Sequence, residues 1–553
     1  MNPFSSTLKC ARRLVVALVA IATLIAAVGC GSSGSNSATP PPGGSFSNSS
    51  LSGTYVFSFV GTDITTGNSI FFAMAGTLTA NGNGTFTSGT IDINDPALSI
   101  NVLTGLAATG SYKITADGRG SGTFTVTIAG TPVTFGIDFA LMSSSHGLIT
   151  RFDFGGSGSG TIDLMASGVT QSALQGSYAF GFSGVDSGFN PLGTVGGFTL
   201  DASGKVTAGL QDFNDNFISF TALPLISPPS SVNIATTPGI AQLDTGPTGF
   251  NTLSFDVWVV DATHLKFIET DTVAILAGDA FVSTGHTSFP SGQLVFTMSG
   301  QDTAGGPFAA GGLFTSDGIS LIPSGTQDLN DEGTVVLASA FSGSFTSVGG
   351  RSQLTLNTFY NGNFGPPPVP GTYTFAAYPY NGGVELLEID NAGDTGGVAY
   401  VQSATSVAAP QGYALNLSGV NGNSGGEVDE IAEFVASGGS MSGLYDVNNL
   451  GVGLVSDFKL GSGASYSVSS NGRGTAAFPN LQTNDITQIS ALDLTFYVVN
   501  SSTIVFLETD NDQLALGSFQ LQNPTQGGAP VLPHFTMARS KSSARGAWRQ
   551  LGK

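Results

Sequence analysis

Acidic and amide side chains carry most of the reactive potential of this chain, and they recur in a fixed phrase. Gly89-Thr-Ile-Asp92-Ile-Asn94-Asp95 returns as Gly209-Leu-Gln-Asp212-Phe-Asn214-Asp215, Gly325-Thr-Gln-Asp328-Leu-Asn330-Asp331 and Gly443-Leu-Tyr-Asp446-Val-Asn448-Asn449. Oxygen ligands at alternating and adjacent positions would suit a hard cation such as calcium. The candidate set is Asp92, Asn94, Asp95, Asp212, Asn214, Asp215, Asp328, Asn330, Asp331, Asp446, Asn448 and Asn449. No copy completes a twelve-residue EF-hand loop or a glycine-rich nonapeptide. The expectation therefore puts calcium second to turn closure, in which Asp and Asn bond their own backbone after a strand. No other cofactor is expected.

Other chemistry is thinner still. Glu269 with Asp271 and Glu508 with Asp510 stand two residues apart and share one face of a strand end. Two acids so placed could serve glycoside hydrolysis, but the pattern repeats in each unit and Arg151 replaces the glutamate in the first. His146 and His264 occupy matching points of two units, the other two units lack them, and a turn role is expected rather than a catalytic base. Serine has no strand-to-helix elbow to activate it. Gly118-Arg-Gly120-Ser-Gly122 precedes no helix that could hold a phosphate. The chain is not expected to be an enzyme.

Composition sets the class. The 553 residues include 78 Gly and 39 Phe, against 12 Tyr and 2 Trp, with only 10% charged residues. Such a balance favours short strands and tight turns over helical bundles, and 41% hydrophobic residues is enough to build cores. All 37 acids lie between positions 31 and 530 with only eight Lys and Arg, a net of −29 for the body. Nucleic acid is an improbable partner for such a surface. The last fifteen residues reverse the sign, with Arg539, Lys541, Arg545, Arg549 and Lys553 and no acid, and read as a basic flexible tail.

The first thirty residues have their own grammar. Lys9, Arg12 and Arg13 precede an apolar run, Leu14 to Val28, too short to span a bilayer as a helix. The run ends in Ala27-Val28-Gly29-Cys30, which resembles the lipobox of bacterial lipoproteins. That resemblance implies cleavage before Cys30 and lipidation, palmitate included, of Cys30 as the first mature residue. Cys10 would be removed with the signal, leaving no pair for an intramolecular disulfide. Residues 30–50, rich in Ser, Gly and Pro, then read as a tether. The Cys30-Gly31-Ser32 start and the repeats together resemble uncharacterised repeat-containing bacterial lipoproteins.

What positions the acidic phrases is a repeated unit, because the intervals between their glycines are 120, 116 and 118 residues. Each unit opens with period-two alternation, as in Gly53-Thr-Tyr55-Val-Phe57-Ser-Phe59, which lays the large side chains on one face of a strand. Asp117-Gly118-Arg119 and Asn471-Gly472-Arg473 mark hairpins in units one and four. Unit three keeps a degraded form near Gly343 to Arg351, and unit two has a Pro-rich stretch, Ser227 to Gly249, instead. The repeat register places Pro366 to Pro370 inside unit three rather than between domains.

About eight strands per unit on short connections predict an all-β protein of four tandem antiparallel domains. Each is expected to be a small up-and-down barrel resembling lipocalins in strand count and order, with a β-sandwich as second choice. The expected order is signal peptide 1–29, tether 30–50, repeats 51–166, 174–284, 290–403 and 410–523, and tail 524–553. The expected function is surface binding or adhesion to a polysaccharide or cell-envelope partner by a lipid-anchored exported protein. The outer membrane or cell surface is expected over free secretion. Alternatives are a carrier of a small hydrophobic ligand inside the barrels, or a spacer without ligand.

Overall fold

The computed structural model describes residues 39–524 apart from 43, 99, 249, 303–304, 360–370, 423, 451, 480, 482–490 and 512. The signal segment, Cys30, the Pro366–Pro370 run and the basic tail beyond Pro524 lie outside the described residues. The described chain is all-β, with antiparallel strands in four sheets and three short 3-10 turns.

Eight strands from Ser52–Asp63 to Gly156–Leu164 close the first barrel, and eight from Gly292–Asp302 to Gly393–Val401 close the third. The fourth, from Gln411–Asn421 to Gln513–Leu521, closes where Glu427–Ser437 pairs with Ser440–Asn449, and carries Gly453–Lys459 as an extra edge. In the second, nine strands from Gly176–Asp186 to Ala274–Val282 form one sheet. Its ends meet only through a bridge between Lys205 and Ser231 and flanking backbone bonds. The order is an up-and-down meander, except that in the fourth barrel Ser465–Val468 neighbours Ser440–Asn449 and bypasses Gly453–Lys459.

The differences among the four trace to one strand. In the first and third barrels a long strand, Val102–Ile114 or Thr334–Val348, is bulged within its first pairing at a left-handed residue, Gly105 (φ 67°) or Ala338 (φ 54°), and passes to its next partner from Thr109 or Ser342 onward. In the second barrel the same strand ends at Pro224 and Pro228 and Pro229 follow, residues that donate no ladder bond, so the sheet parts there. The stretch Ser227 to Gly249 is not a replacement of the hairpin, however: it holds the strands Ser231–Asn233 and Gly239–Asp244.

Inward-facing phenylalanines fill the barrels. In the first, Phe57 and Phe59 stack with ring centres 5.7 Å apart, and Phe72, Phe86, Phe124 and Phe135 complete the core, all nearly inaccessible. Voids lined by Phe296, Phe314, Phe341 and Phe375 in the third barrel and by Tyr413, Phe434 and Phe519 in the fourth have about 10 Å³ each, room for one water.

The expected tether is partly docked. Phe46 is buried in the first barrel's core, its N–H donates to Ala116, and Asn48 accepts from the Ile114 N–H at 2.8 Å. Pro41 is buried, and its ring lies where a Cβ at Gly412 in the fourth barrel would fall. An apolar Phe with a capping turn, Asn48–Ser50, overrides the Ser/Gly/Pro composition.

Candidate functional site

The acidic phrases sit at the ends of the strands Thr85–Asn94, Val206–Asp215, Leu321–Asp331 and Ser440–Asn449. They are not turns bonding to themselves. Their first aspartate accepts the N–H of the left-handed residue on the following strand: Gly105 to Asp92 at 2.7 Å, Ala222 to Asp212 at 2.8 Å, Ala338 to Asp328 at 2.7 Å and Asp457 to Asp446 at 2.6 Å. That bond satisfies the amide which the bulge takes out of the ladder. Turn bonds of the expected kind are made by Asp95, which accepts the Ala97 N–H at 2.8 Å, and by Asn330, which accepts the Gly333 N–H at 2.9 Å.

The asparagine reaches into the next barrel. Asn94 Nδ2 donates to the carbonyls of Glu269 and Ala274 at 3.1 and 3.3 Å, Asn214 to Glu388 and Gly393 at 3.0 Å each, and Asn330 to Glu508 and Gln513 at 3.2 Å each. Asn448 of the fourth barrel closes the series on the first, with Arg151 O at 3.0 Å and Gly156 O at 2.8 Å. Four barrels therefore form a ring in which each phrase grips the next strand end, Glu-x-Asp in three barrels and Arg151-x-Asp153 in the first. Within those ends Asp271 accepts the Ser254 N–H, Asp390 the Thr374 N–H and Asp510 the Asp493 N–H. Burial pushes Glu269, Glu388 and Glu508 well above the ordinary carboxyl range. The two motifs singled out in the sequence thus meet, but across a seam.

An arginine completes three of the four seams. Arg351 donates to Asp212 at 2.8 and 2.6 Å while Tyr378 Oη donates at 2.5 Å. Arg473 and Tyr497 repeat this on Asp328 at 2.8, 2.6 and 2.6 Å. Arg119 holds both oxygens of Asp446 at 2.9 and 2.7 Å and also Asp457 at 2.7 Å. Gly311 makes room for the Tyr497 ring on Asp328, since a Cβ there would come within 2.7 Å of it. The closing seam copies the seam between the third and fourth barrels in its smaller bonds. Gln402 Nε2 donates to the carbonyls of Asn471 and Val498, and Gln522 Nε2 does so to Asp117 and Leu141. The arginines follow the glycine turns that the sequence marks as hairpins. A usable signal was there: three of only four body arginines fall at one repeat position.

The remaining seam, between the first and second barrels, lacks its arginine. Arg119, Arg351 and Arg473 begin strands opposite Ala140, Tyr378 and Tyr497; in the second barrel Pro238 precedes the strand and Trp258 stands at the aromatic position. Burial, then the carboxylate of Asp256, pushes Asp92 up to about 7.

Between the first and second barrels lies a buried charge network. Lys266, fully buried, donates to Thr161 Oγ1 at 2.6 Å and pairs with Asp279 at 3.2 Å and Asp163 at 3.3 Å. His146 bonds Asp163, and His264 bonds Asp279 at 2.6 Å. The histidines expected at turns do start strands, but both are buried in these pairs. Burial alone would raise both aspartates; the neighbouring Lys266 and the imidazoles instead hold Asp279 down at about 2 and Asp163 lower than usual.

Among the described residues, no cluster of three or more His, Cys, Asp or Glu has the arrangement of a metal site. No protein-family model and no curated protein matches the chain. Four chains of solved structures match. One is the isotype 1 transferrin binding protein B from serogroup B Neisseria meningitidis, at 8% identity over 66% of this chain and 78% of that chain, with a TM-score of 0.19. A likeness that loose carries no argument about this chain.

Proposed function

We propose that the chain is an exported, lipid-anchored protein of the bacterial cell envelope whose ring of barrels is a rigid, multivalent scaffold for binding an envelope polysaccharide. The observation that carries this reading is the ring itself. Four copies of one unit, locked by the same Asn and Asp contacts, hold corresponding loops in a fixed array. A fixed array of repeated weak sites gains avidity for a repeating ligand without new contacts. The Lys9-Arg12-Arg13 signal pattern and Cys30 support the anchor. Phenylalanine-filled interiors favour a scaffold over the carrier alternative.

Two measurements test it. Labelled palmitate should enter the protein and be lost in Cys30→Ala. The purified protein should be retained by a purified cell-wall polysaccharide fraction and released by the free glycan. Absence of label would remove the anchor, and absence of retention across wall, capsule and matrix glycans would remove the binding role.

A further inference from the structure

Strand polarity is the same in all four barrels, so the ring has two unlike ends. The acidic phrases and the strand ends they grip lie at one. At the other, turns meet across the seams, Ala166 with Val260, Asn381 with Val282, Gln402 with Val498 and Asn523 with Met142. Every barrel brings acids to the phrase end, where Asp153, Asp186, Asp271, Glu332, Asp390 and Asp510 are not buried. Among the described residues the turns of the opposite end hold only Asp117, Asp201, Asp261 and Asp317. Asp117 is buried on Arg119, and Asp201 shares its turn with Lys205. That end exposes aliphatic side chains instead. Ile319 is 80% accessible, Val348 77% and Leu321 52%, all on two turns of the third barrel that adjoin where the Phe345 N–H donates to Ser320. Both ends of the described chain also lie here. Pro41 packs on Gly412, the Phe46 N–H donates to Ala116, and Pro524 lies against Gly44. Thr39 stands nine positions after Cys30, at most about 30 Å of extended chain.

We propose that this end of the ring is a membrane-docking surface, laid on an anionic lipid bilayer with Ile319, Leu321 and Val348 in its interface. The inference rests on the lipid anchor at Cys30, which holds this end within about 30 Å of the headgroups and leaves the phrase end a strand's length farther away. Exposed apolar side chains occur at both ends, Phe154 and Ile218 among them at the phrase end, so charge decides between the two. An anionic surface repels the acidic end within a Debye length and admits the nearly neutral one. There the aliphatic side chains gain by leaving water for the boundary between headgroups and acyl chains. The sequence that follows Pro524 carries basic residues and no acid, a charge of the matching sign at the same face. Docked in this way, the ring presents its phrase end outward.

Full-length protein is purified with its lipid and reconstituted into vesicles of phosphatidylethanolamine and phosphatidylglycerol. Single variants Ile319→Cys and Asn381→Cys at the docking end, and Phe154→Cys and Ile218→Cys at the phrase end, each carry an NBD fluorophore at an exposed position. Labels at 319 and 381 should shift to the blue and be quenched by lipid spin-labelled in its headgroup, and labels at 154 and 218 should do neither. Adding Ile319→Asp and Val348→Asp, both at exposed positions, should return the label at 381 to the phrase-end response while the protein stays on the vesicles. The docking surface is overturned if the two ends respond alike, if the phrase end responds more, or if the two aspartates change nothing. Failure of the anchor shows separately, because unlipidated protein does not float with the vesicles and its Cys30 takes a second label. The four labels are then read in Cys30→Ala protein added to preformed vesicles, and the same outcomes decide.

Discussion

Arg473 donates to both oxygens of Asp328 across a seam while Tyr497 occupies the same carboxylate, and Asp328 has no exposed surface. Removing the cation leaves a buried carboxylate without its charge partner. Arg473→Ala should therefore cost about 3 kcal/mol in urea unfolding. The double variant Arg473→Ala/Asp328→Ala should lose clearly less than the sum of the two single changes. Additive losses would mean that the pair is not coupled. At this scale the sequence is legible for the acids and opaque for their partners. Asp212 and Arg351 lie 139 positions apart, so no local spacing betrays them. The asparagine is legible only as a repeated letter, because its acceptors are backbone carbonyls of another barrel, and any sequence can supply those.

At the level of strands, period-two alternation announces most of the sheet, since each large side chain on one face must find the barrel interior. The bulge in the strand after each phrase is harder to see. Gly105 signals a left-handed residue, but Ala222, Ala338 and Asp457 adopt the same conformation (φ 52°, 54° and 59°) against their own preference. The aspartate bond to that amide fixes the backbone there. For an alanine the left-handed region costs roughly 1–2 kcal/mol, so Ala338→Gly should stabilise the protein by up to about 1 kcal/mol after the entropy of the added glycine is subtracted. Ala338→Val should destabilise it. A fall in stability with glycine would show that the bulge is not strained. Docking of residues 39–50 was equally hidden, because a single Phe46 in a polar stretch decides it.

For the whole molecule, burial of so many acids sets an unusual pH dependence. Asp92 and Asp95 are pushed up to about 7, Asp215 to about 6 and Asp331 to about 8, burial being the first cause in each. A group whose pKa is raised on folding binds its proton more tightly in the folded state. Its contribution is present in full below the ordinary carboxylate value and is lost as pH rises through the folded value. Asp163 and Asp279 act oppositely, and lose their contribution as pH falls below that ordinary value. Tm should thus peak at about pH 4, fall steadily toward pH 8 and fall again below about pH 3. A maximum above pH 7 would contradict these assignments. The fourfold period of the sequence announces four barrels but not that they close on one another, since a string and a ring share one repeat.

Closure is the central claim, and spin-label distances test it directly. Asn83, Ser203 and Asp317 occupy the exposed turn after the second strand of the first three barrels, and Ser437 is the exposed end of that strand in the fourth. Cysteine pairs at 83 and 203, 83 and 317, and 83 and 437 report a neighbouring, a diagonal and the closing distance by pulsed electron resonance. A ring predicts that the closing distance is narrow and matches the neighbouring one, with the diagonal the longest. A closing distance that is broad, or longer than the diagonal, would mean that the barrels form an open string.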